Sequence, residues 1–232
     1  MKAAPAVGEA PVGSEEDESG ARRYHLSVRL PPAARQERLK GGSWFFTPGW
    51  LQEDARLPLY LDIGSGLGRF LLAEAEKHPE IRYLGVDPDY QCAQRVIGKL
   101  LSRASRGQLT GRVRFFFGSF FHCAPLLPAG SLNRVYLNYP DPWFKKRHLR
   151  RRLLCRFFFD TLEPLLAPVA EIFIQTDDDD YANHILGLLR GLEGYDLCES
   201  AEALFADLSP TLYQEKALAG SRARHCFHLR KI

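Results

Sequence analysis

The chain has 232 residues, of which 45% are hydrophobic and 25% charged. This length suits one α/β domain with a flexible end and leaves little room for two large domains. The composition is that of a globular protein, which excludes a fibrous or wholly disordered chain. The formal net charge of +3 at pH 7 is too small to indicate a partner, so the distribution of the charges carries the information.

Five cysteines are scattered along the chain without any C-x-x-C pair. Their odd number and wide spacing argue against a disulfide framework and against a zinc site, and they suit a reducing cytosol. No apolar run is long enough to cross a bilayer, and the N-terminus has the pattern of neither a signal peptide nor a transit peptide. We therefore expect a cytoplasmic protein that holds no metal and contacts no membrane.

Three regions follow each other along the chain. Residues 1–21 are rich in Ala, Pro, Gly, Ser and acidic residues, which predicts a disordered tail. Residues 22–58 have a mixed composition with the aromatic patch Trp44-Phe45-Phe46, and they form either an arm packed on the domain or a mobile flap. Residues 59–232 show the regular pattern of a folded domain.

Within residues 59–232, short apolar runs alternate with segments of helical periodicity. Strands are predicted at Leu59–Ile63, Arg82–Asp87, Val113–Phe117, Leu132–Leu137 and Glu171–Thr176, with an edge strand at Ala223–Arg230. Helices are predicted at Arg69–Lys77, Tyr90–Ser105, Leu149–Leu166 and Tyr181–Leu192. This alternation predicts βαβ units, and therefore an α/β fold with a mostly parallel central sheet and helices on both faces.

A glycine-rich turn, Gly64-Ser65-Gly66-Leu67-Gly68, follows the first predicted strand. Glycines there let the backbone approach a ligand beyond the carboxyl end of the strand. Position 69 is Arg, so the dinucleotide pattern G-x-G-x-x-G is not met. The D-x-G-x-G-x-G form instead resembles motif I of class I S-adenosylmethionine-dependent methyltransferases.

Two aspartates accompany this turn. In a methyltransferase of that class, Asp62 would lie near the ammonium group of the cofactor. Asp87 ends the second predicted strand, where its carboxylate can accept hydrogen bonds from both ribose hydroxyls. The alternative is that either aspartate only caps a helix or a turn.

The segment Asn138-Tyr139-Pro140-Asp141-Pro142-Trp143 closes the fourth predicted strand at the same edge of the sheet. The two prolines end the strand and fix the backbone, so Asp141 is held where the methyl group of the cofactor should point. The basic run Lys145–Arg152 follows directly and could meet a phosphate backbone. Taken singly, these features could also be an ordinary turn and a solvated helix face.

The sequence N-Y-P-D-P-W-F-K-K-R-H-x-x-R-R is similar to the signature of the bacterial tRNA (guanine-N7-)-methyltransferase family, known as TrmB. Thr176–Ala182 resembles the T-D-x-x-x-Y-A segment of that family, and Thr211–Lys216 resembles its C-terminal T-x-[YF]-E-x-[KR] motif. The order and rough spacing of these motifs agree from about Leu59 to the end of the chain.

The resemblance implies a Rossmann-like class I methyltransferase that moves the methyl group of S-adenosyl-L-methionine to N7 of guanosine 46 in the tRNA variable loop. It implies that the cofactor is held by Asp62, Gly64, Gly66, Gly68, Asp87, Ser119 and Asp141, the last being also the catalytic residue. It implies that the substrate is bound by Lys145, Asp177, Thr211, Leu212, Tyr213 and Gln214, and the RNA backbone by Arg147, Arg150, Arg151 and Arg152. The bacterial type acts without an obligatory protein partner, so a monomer or a homodimer is expected.

The chemistry of the acceptor defines the role of Asp141. Guanine N7 carries an unprotonated lone pair at neutral pH, so its methylation needs no general base, and positioning supplies most of the acceleration. Asp141 is therefore predicted to orient the guanine by accepting hydrogen bonds from N1 and N2. Its charge also favours the cation that develops on the methylated ring.

Two positions depart from the family pattern. Ser119 stands where the family has an acid after its third strand, and Gln214 stands at the acidic position of the C-terminal motif. These residues leave open a catalytically weakened RNA-binding relative. A class I methyltransferase with another acceptor is also open, because the glycine turn and Asp87 serve any acceptor.

Overall fold

In the computed structural model, residues 46, 48–108, 112–211, 213–214 and 223–232 are described. The predicted tail, most of the predicted arm and Leu212 lie outside these residues. Seven strands form one sheet in the order β3-β2-β1-β4-β5-β7-β6. The strands are β1 (Leu59–Ile63), β2 (Arg82–Asp87), β3 (Val113–Phe117), β4 (Leu132–Asn138), β5 (Leu166–Thr176), β6 (Tyr195–Cys198) and β7 (His225–Lys231).

The first five strands run parallel, and β7 pairs antiparallel with both β5 and β6. Strand β1 pairs with β2 on one side and with β4 on the other, so the order of the strands reverses at β1. Ligands of open α/β sheets bind at such a switch point, beyond the carboxyl ends of the strands. The predicted α/β fold of the Rossmann-like class is confirmed.

Five α-helices of the described residues flank the sheet: α1 (Arg69–Lys77), α2 (Tyr90–Ser105), α3 (Phe120–Cys123), α4 (Arg156–Leu162) and α5 (Asp179–Leu189). On one face, α1 and α2 pack with β2 and β3. On the other face, α4 and α5 pack with alternate side chains of β1, β4 and β5. The longest helix of the described residues has 16 residues, and none of their helices is long and apolar enough to span a membrane.

The predicted helix Leu149–Leu166 is confirmed only at Arg156–Leu162, and its predicted bounds are wrong. The structure has a 3-10 helix at Lys146–Arg151, then an extended stretch, then α4 and a 3-10 turn at Glu163–Leu165. The extended stretch is held by tertiary contacts, since the amide of Leu154 donates to the hydroxyl of Tyr181 (3.3 Å). Pro164, which has no N–H to donate, ends the helical segment, and β5 begins five residues earlier than predicted.

The described part of the predicted arm packs on the domain. Pro48–Gln52 is a 3-10 helix, and Trp50 is buried beneath the guanidinium groups of Arg82 and Arg114. Arg82 also donates hydrogen bonds to the carbonyls of Leu51 (3.0 Å) and Leu57 (2.9 Å). Of the two alternatives for the arm, these residues follow the packed one.

Candidate active site

The glycine turn joins β1 to α1 through three residues with positive φ. Gly64, Gly66 and Gly68 have φ values of 75°, 51° and 67°. Any side chain at these positions would be strained, and a Cβ at Gly68 would also lie 2.8 Å from a methyl group of Val96. Because a Cβ on Gly64 would meet nothing within 4 Å, the turn leaves open space beside its backbone.

Asp87, at the end of β2, holds the glycine turn in place. One carboxylate oxygen accepts a hydrogen bond from the amide of Gly66 (2.8 Å), and the other accepts one from the amide of Asp89 (2.8 Å). Burial raises the pKa of Asp87, and these two bonds oppose that rise. Each oxygen keeps a lone pair for a further donor. Asp87 therefore shapes the turn and can also accept bonds from a ligand.

Asp62 is 2% exposed, and neither of its carboxylate oxygens has a hydrogen-bond partner among the described residues. Burial raises the pKa of Asp62 to about 8, with a further contribution from the charge of Asp87. The side-chain amide of Asn138 lies close enough to oppose this rise, but its own N–H group is also unpartnered. A buried acid without partners is costly, and a cationic or hydrogen-bonding ligand would satisfy it.

The turn around Asp141 is strained on both sides. Tyr139 and Trp143 have positive φ values of 53° and 49°, which non-glycine residues rarely adopt. The amide of Tyr139 is held by the carbonyl of Gln175 (2.8 Å) at the end of β5. Strain of this kind collects at functional sites, where the surrounding structure fixes one conformation.

Asp141 itself is exposed. Burial is the main cause that raises the pKa of both Asp87 and Tyr181, and the charge of Asp141 raises each pKa further. The carboxylate of Asp141 therefore lies within electrostatic reach of both residues. The structure brings the predicted catalytic residue to the same edge of the sheet as the glycine turn.

Arg152 has a different place from the predicted contact with RNA. Its side chain is 5% exposed and lies over the ring of Tyr181, 4.7 Å from the centroid. The guanidinium donates to the carbonyl of Pro142 (2.7 Å) and to the carboxylate of Asp180 (2.5 Å). Its donors face inward, so Arg152 fastens the turn that carries Asp141 onto α5.

The remaining basic residues of the run are exposed. The lysines and arginines among them are Lys145, Lys146, Arg147, Arg150 and Arg151. The guanidinium of Arg151 lies 5.1 Å from the ring centroid of Trp143, which places it beside the strained turn. These five side chains are accessible to a partner next to Asp141.

The C-terminal motif reaches the same place through Tyr213. Its ring stacks on that of Tyr139, with 6.2 Å between centroids and 27° between planes, and its side chain is 60% exposed. Thr211 is buried, and its hydroxyl accepts a hydrogen bond from the amide of Gln214 (2.9 Å). Asp177 follows β5 directly and is half-buried.

Ser119 lies just beyond β3, next to the end of β2. The amide of the preceding Gly118 donates to the carbonyl of Asp87 (3.0 Å), which places Ser119 beside the glycine turn. The hydroxyl of Ser119 lies 3.1 Å from Nδ1 of His122. The predicted cofactor residues of β1, β2 and β3 therefore meet at one edge of the sheet.

A polar pair at this edge, Asn138 and Gln175, is absent from the predicted site residues. The side chain of Gln175 donates to the side-chain oxygen of Asn138 (2.5 Å) and accepts from the guanidinium of Arg224 (3.0 Å). Asn138 and Gln175 are neighbours across β4 and β5. A polar residue near the end of an otherwise apolar strand was the available signal for both.

Fold and site together define a Rossmann-like class I methyltransferase. Among solved structures, an aminoglycoside resistance methyltransferase matches the fold with a TM-score of 0.52 at 21% identity, over 82% of this chain and 95% of that one. The model of the methyltransferase family Methyltransf_4 matches residues 56–224. The cofactor of this class is S-adenosyl-L-methionine, as the sequence predicts.

Two curated relatives specify the family. The tRNA (guanine-N(7)-)-methyltransferase of Syntrophotalea carbinolica is 33% identical over 211 residues, which cover 90% of this chain and 88% of the relative. The enzyme of the same name from Cereibacter sphaeroides is 32% identical over 176 residues, 75% of this chain and 70% of the relative. The chain belongs to the tRNA (guanine-N(7)-)-methyltransferase family.

Proposed function

We propose that this enzyme transfers the methyl group of S-adenosyl-L-methionine to N7 of a guanosine in tRNA, at position 46 of the variable loop. The observation that carries the proposal is the strained turn around Asp141. It stands beside the glycine turn on one side and beside the exposed cations of the run Lys145–Arg151 on the other. The curated relatives named for this reaction support the acceptor.

The residues at the switch point fit the cofactor. The unpartnered carboxylate of Asp62 suits its ammonium group, and the free lone pairs of Asp87 suit its ribose hydroxyls. In this proposal the hydroxyl of Ser119 bonds the adenine amino group, and the open space beside the glycine turn supports close approach of the ligand. When bound, S-adenosyl-L-methionine supplies an electrophilic methyl group on its sulfonium.

Asp141 orients the acceptor in this proposal. Its carboxylate accepts hydrogen bonds from guanine N1 and N2, which aims the N7 lone pair at the methyl group. Its negative charge offsets the positive charge that develops on the ring. The prolines and the strained residues Tyr139 and Trp143 fix the carboxylate before the substrate arrives, so little reorganisation is needed.

The RNA approaches from the side of Lys145 and of the Tyr139–Tyr213 stack. Lys145, Asp177, Thr211, Tyr213 and Gln214 are the proposed substrate residues of the described chain, and Leu212 completes the predicted set. The exposed ring of Tyr213 offers a face for base stacking, which contributes about 1–3 kcal/mol per base. Arg147, Arg150 and Arg151 contact phosphates.

The test is methyl transfer from labelled cofactor to bulk tRNA that lacks this modification, followed by nucleoside analysis. We expect N7-methylguanosine, and Asp141→Asn should lower kcat at least about tenfold, or 1.4 kcal/mol. Asp196→Asn, which removes an exposed carboxylate from the edge strand β6, is the matched control.

Three other outcomes contradict parts of this proposal. Label in another nucleoside, or in no RNA, would reject the acceptor. Cofactor and tRNA binding without turnover would indicate the weakened relative that Ser119 and Gln214 suggest. Unchanged turnover in Asp141→Asn would remove Asp141 from the mechanism.

We further propose that the enzyme acts in the cytoplasm, as a monomer or homodimer without an obligatory protein partner. All five cysteines are free thiols, which suits a reducing compartment. The P-W and K-K-R-H segments resemble the bacterial type, which acts alone. Methyl transfer by the purified chain alone is the readout, and dependence on an added protein fraction would contradict it.

A further inference from the structure

A basic groove lies along α2, beside Leu67 of the glycine turn. It has a volume of about 420 Å³ and is lined among others by Leu67, Arg95, Gly98, Lys99, Arg103 and Arg106. Four of these side chains are cationic, and no acidic residue lines the groove. We call this feature the α2 groove.

The spacing of the cations puts them on one side of the helix. The intervals between successive cations are four, four and three residues, and each is close to one helical turn. The cations are Arg95, Lys99, Arg103 and Arg106. At 1.5 Å per residue, the row from Arg95 to Arg106 is about 16 Å long. A row of that length can meet more than one phosphate of a nucleic acid strand.

The positive charge of the row is only partly neutralised by the protein. Arg103 pairs with Glu76 of α1 (3.0 Å), and Lys99 donates to the carbonyl of Leu67 (2.7 Å). Arg95 and Arg106 are exposed and make no ion pair with any residue of the described ranges. Burial lowers the pKa of Lys99, and the nearby charges of Arg103, Arg69 and Arg95 lower it further. The groove is therefore a region of uncompensated positive charge.

Gly98 gives a ligand access to the helix backbone. A glycine inside a helix costs about 0.8–1 kcal/mol relative to alanine. A Cβ at Gly98 would meet nothing within 4 Å, so no close packing inside the protein requires the glycine. Its absence of a side chain instead lets an external group approach between Arg95 and Lys99.

We propose that the α2 groove binds phosphates of the tRNA backbone and forms a second contact with the substrate, separate from the run Lys145–Arg151. The inference rests on the proposed function for the identity of the RNA. The groove adjoins the glycine turn through Leu67 on the β2 and β3 side of the sheet, whereas the basic run follows β4. The two basic surfaces therefore flank the switch point, and a bound tRNA would be held on both sides of the methylated base.

The test compares two double variants of the full chain that lose the same charge. Arg95→Ala with Arg106→Ala removes the two exposed cations of the groove. Arg190→Ala with Arg230→Ala is the control, because both side chains are exposed and lie at the opposite edge of the sheet. The affinity for tRNA is measured across a salt series, and KM, kcat and cofactor affinity are measured for both variants.

We expect the groove variant to bind tRNA about tenfold more weakly than the control. The slope of log affinity against log salt should lose up to about two units if both arginines touch phosphates of a duplex. The KM for tRNA should rise, while kcat, cofactor affinity and melting temperature should match those of the control.

Equal tRNA affinity and salt slope in the two double variants would overturn the groove proposal, even if the wild-type enzyme methylates tRNA normally. An equal loss in both variants would also overturn it, since it would show only an effect of total charge. A wild-type enzyme that binds tRNA through the groove but forms no N7-methylguanosine would reject the proposed function and leave the groove standing.

Discussion

Replacing Arg152 by alanine should destabilise the protein and lower kcat, whereas replacing its neighbours Arg150 and Arg151 should do neither. The reason is the different surroundings of three adjacent arginines. Arg152 is 5% exposed and bonds to the carbonyl of Pro142, one residue after Asp141. Arg150 and Arg151 are exposed to solvent. Only Arg152 can hold the catalytic turn against α5.

The cost of Arg152→Ala follows from the contacts that are lost. A hydrogen bond from a charged donor contributes about 1.5–3 kcal/mol, and the contact with the ring of Tyr181 adds about 0.5–2 kcal/mol. Asp180 is 80% exposed, so its ion pair adds less than about 1 kcal/mol. We expect a loss of roughly 3 kcal/mol, which for this chain length lowers Tm by about 6–12 °C.

Thermal melting and steady-state kinetics on tRNA decide the matter together. In Arg152→Ala, kcat should fall at least about tenfold, because a shift of Asp141 by even an ångström is costly. The control Arg150→Ala with Arg151→Ala should keep the free energy of unfolding within about 0.5 kcal/mol of the parent. It should bind tRNA more weakly, with a flatter slope of log affinity against log salt. If Arg152→Ala melts normally, keeps kcat and only binds tRNA more weakly, its side chain is an RNA contact and our reasoning is wrong.

Two further predictions concern the cofactor edge. Gly68→Ala should lower the free energy of unfolding by about 2–4 kcal/mol, because it combines positive φ with a 2.8 Å approach to Val96. The control Gly187→Ala, in open space on α5, should cause no such loss. Equal melting temperatures of the two variants would contradict this prediction. Since the pKa of Asp62 is raised from 3.8 to about 8, the folded state holds a proton there that the unfolded state releases, and stability falls as pH rises between these values. Asp62→Asn should therefore stabilise the cofactor-free protein by roughly 2–4 kcal/mol more at pH 8 than at pH 5 in thermal melts, and an equal gain at both pH values would refute the assignment.

The elements that depend on local pattern were predictable. The strands β1, β2 and β3, and the helices α1 and α2, lie where apolar periodicity and glycines indicate them. The glycine turn and the carboxylate of Asp87 were found for the same reason, because positive φ and strand ends leave a mark in adjacent residues. The helix at Leu149–Leu166 failed, since contacts to α5 override helical propensity in the stretch after Arg151.

The sequence by itself therefore determined the class of fold, the cofactor edge and the family, through motifs that are contiguous along the chain. Only the tertiary structure decided how the basic run divides, because the burial of Arg152 depends on Asp180 and Tyr181, which are about thirty residues away. It also decided the isolation of Asp62 and the stacking of Tyr213 on Tyr139. Burial, charge pairing and stacking are set by residues distant in sequence, and no local pattern records which partner the folded chain will bring to them.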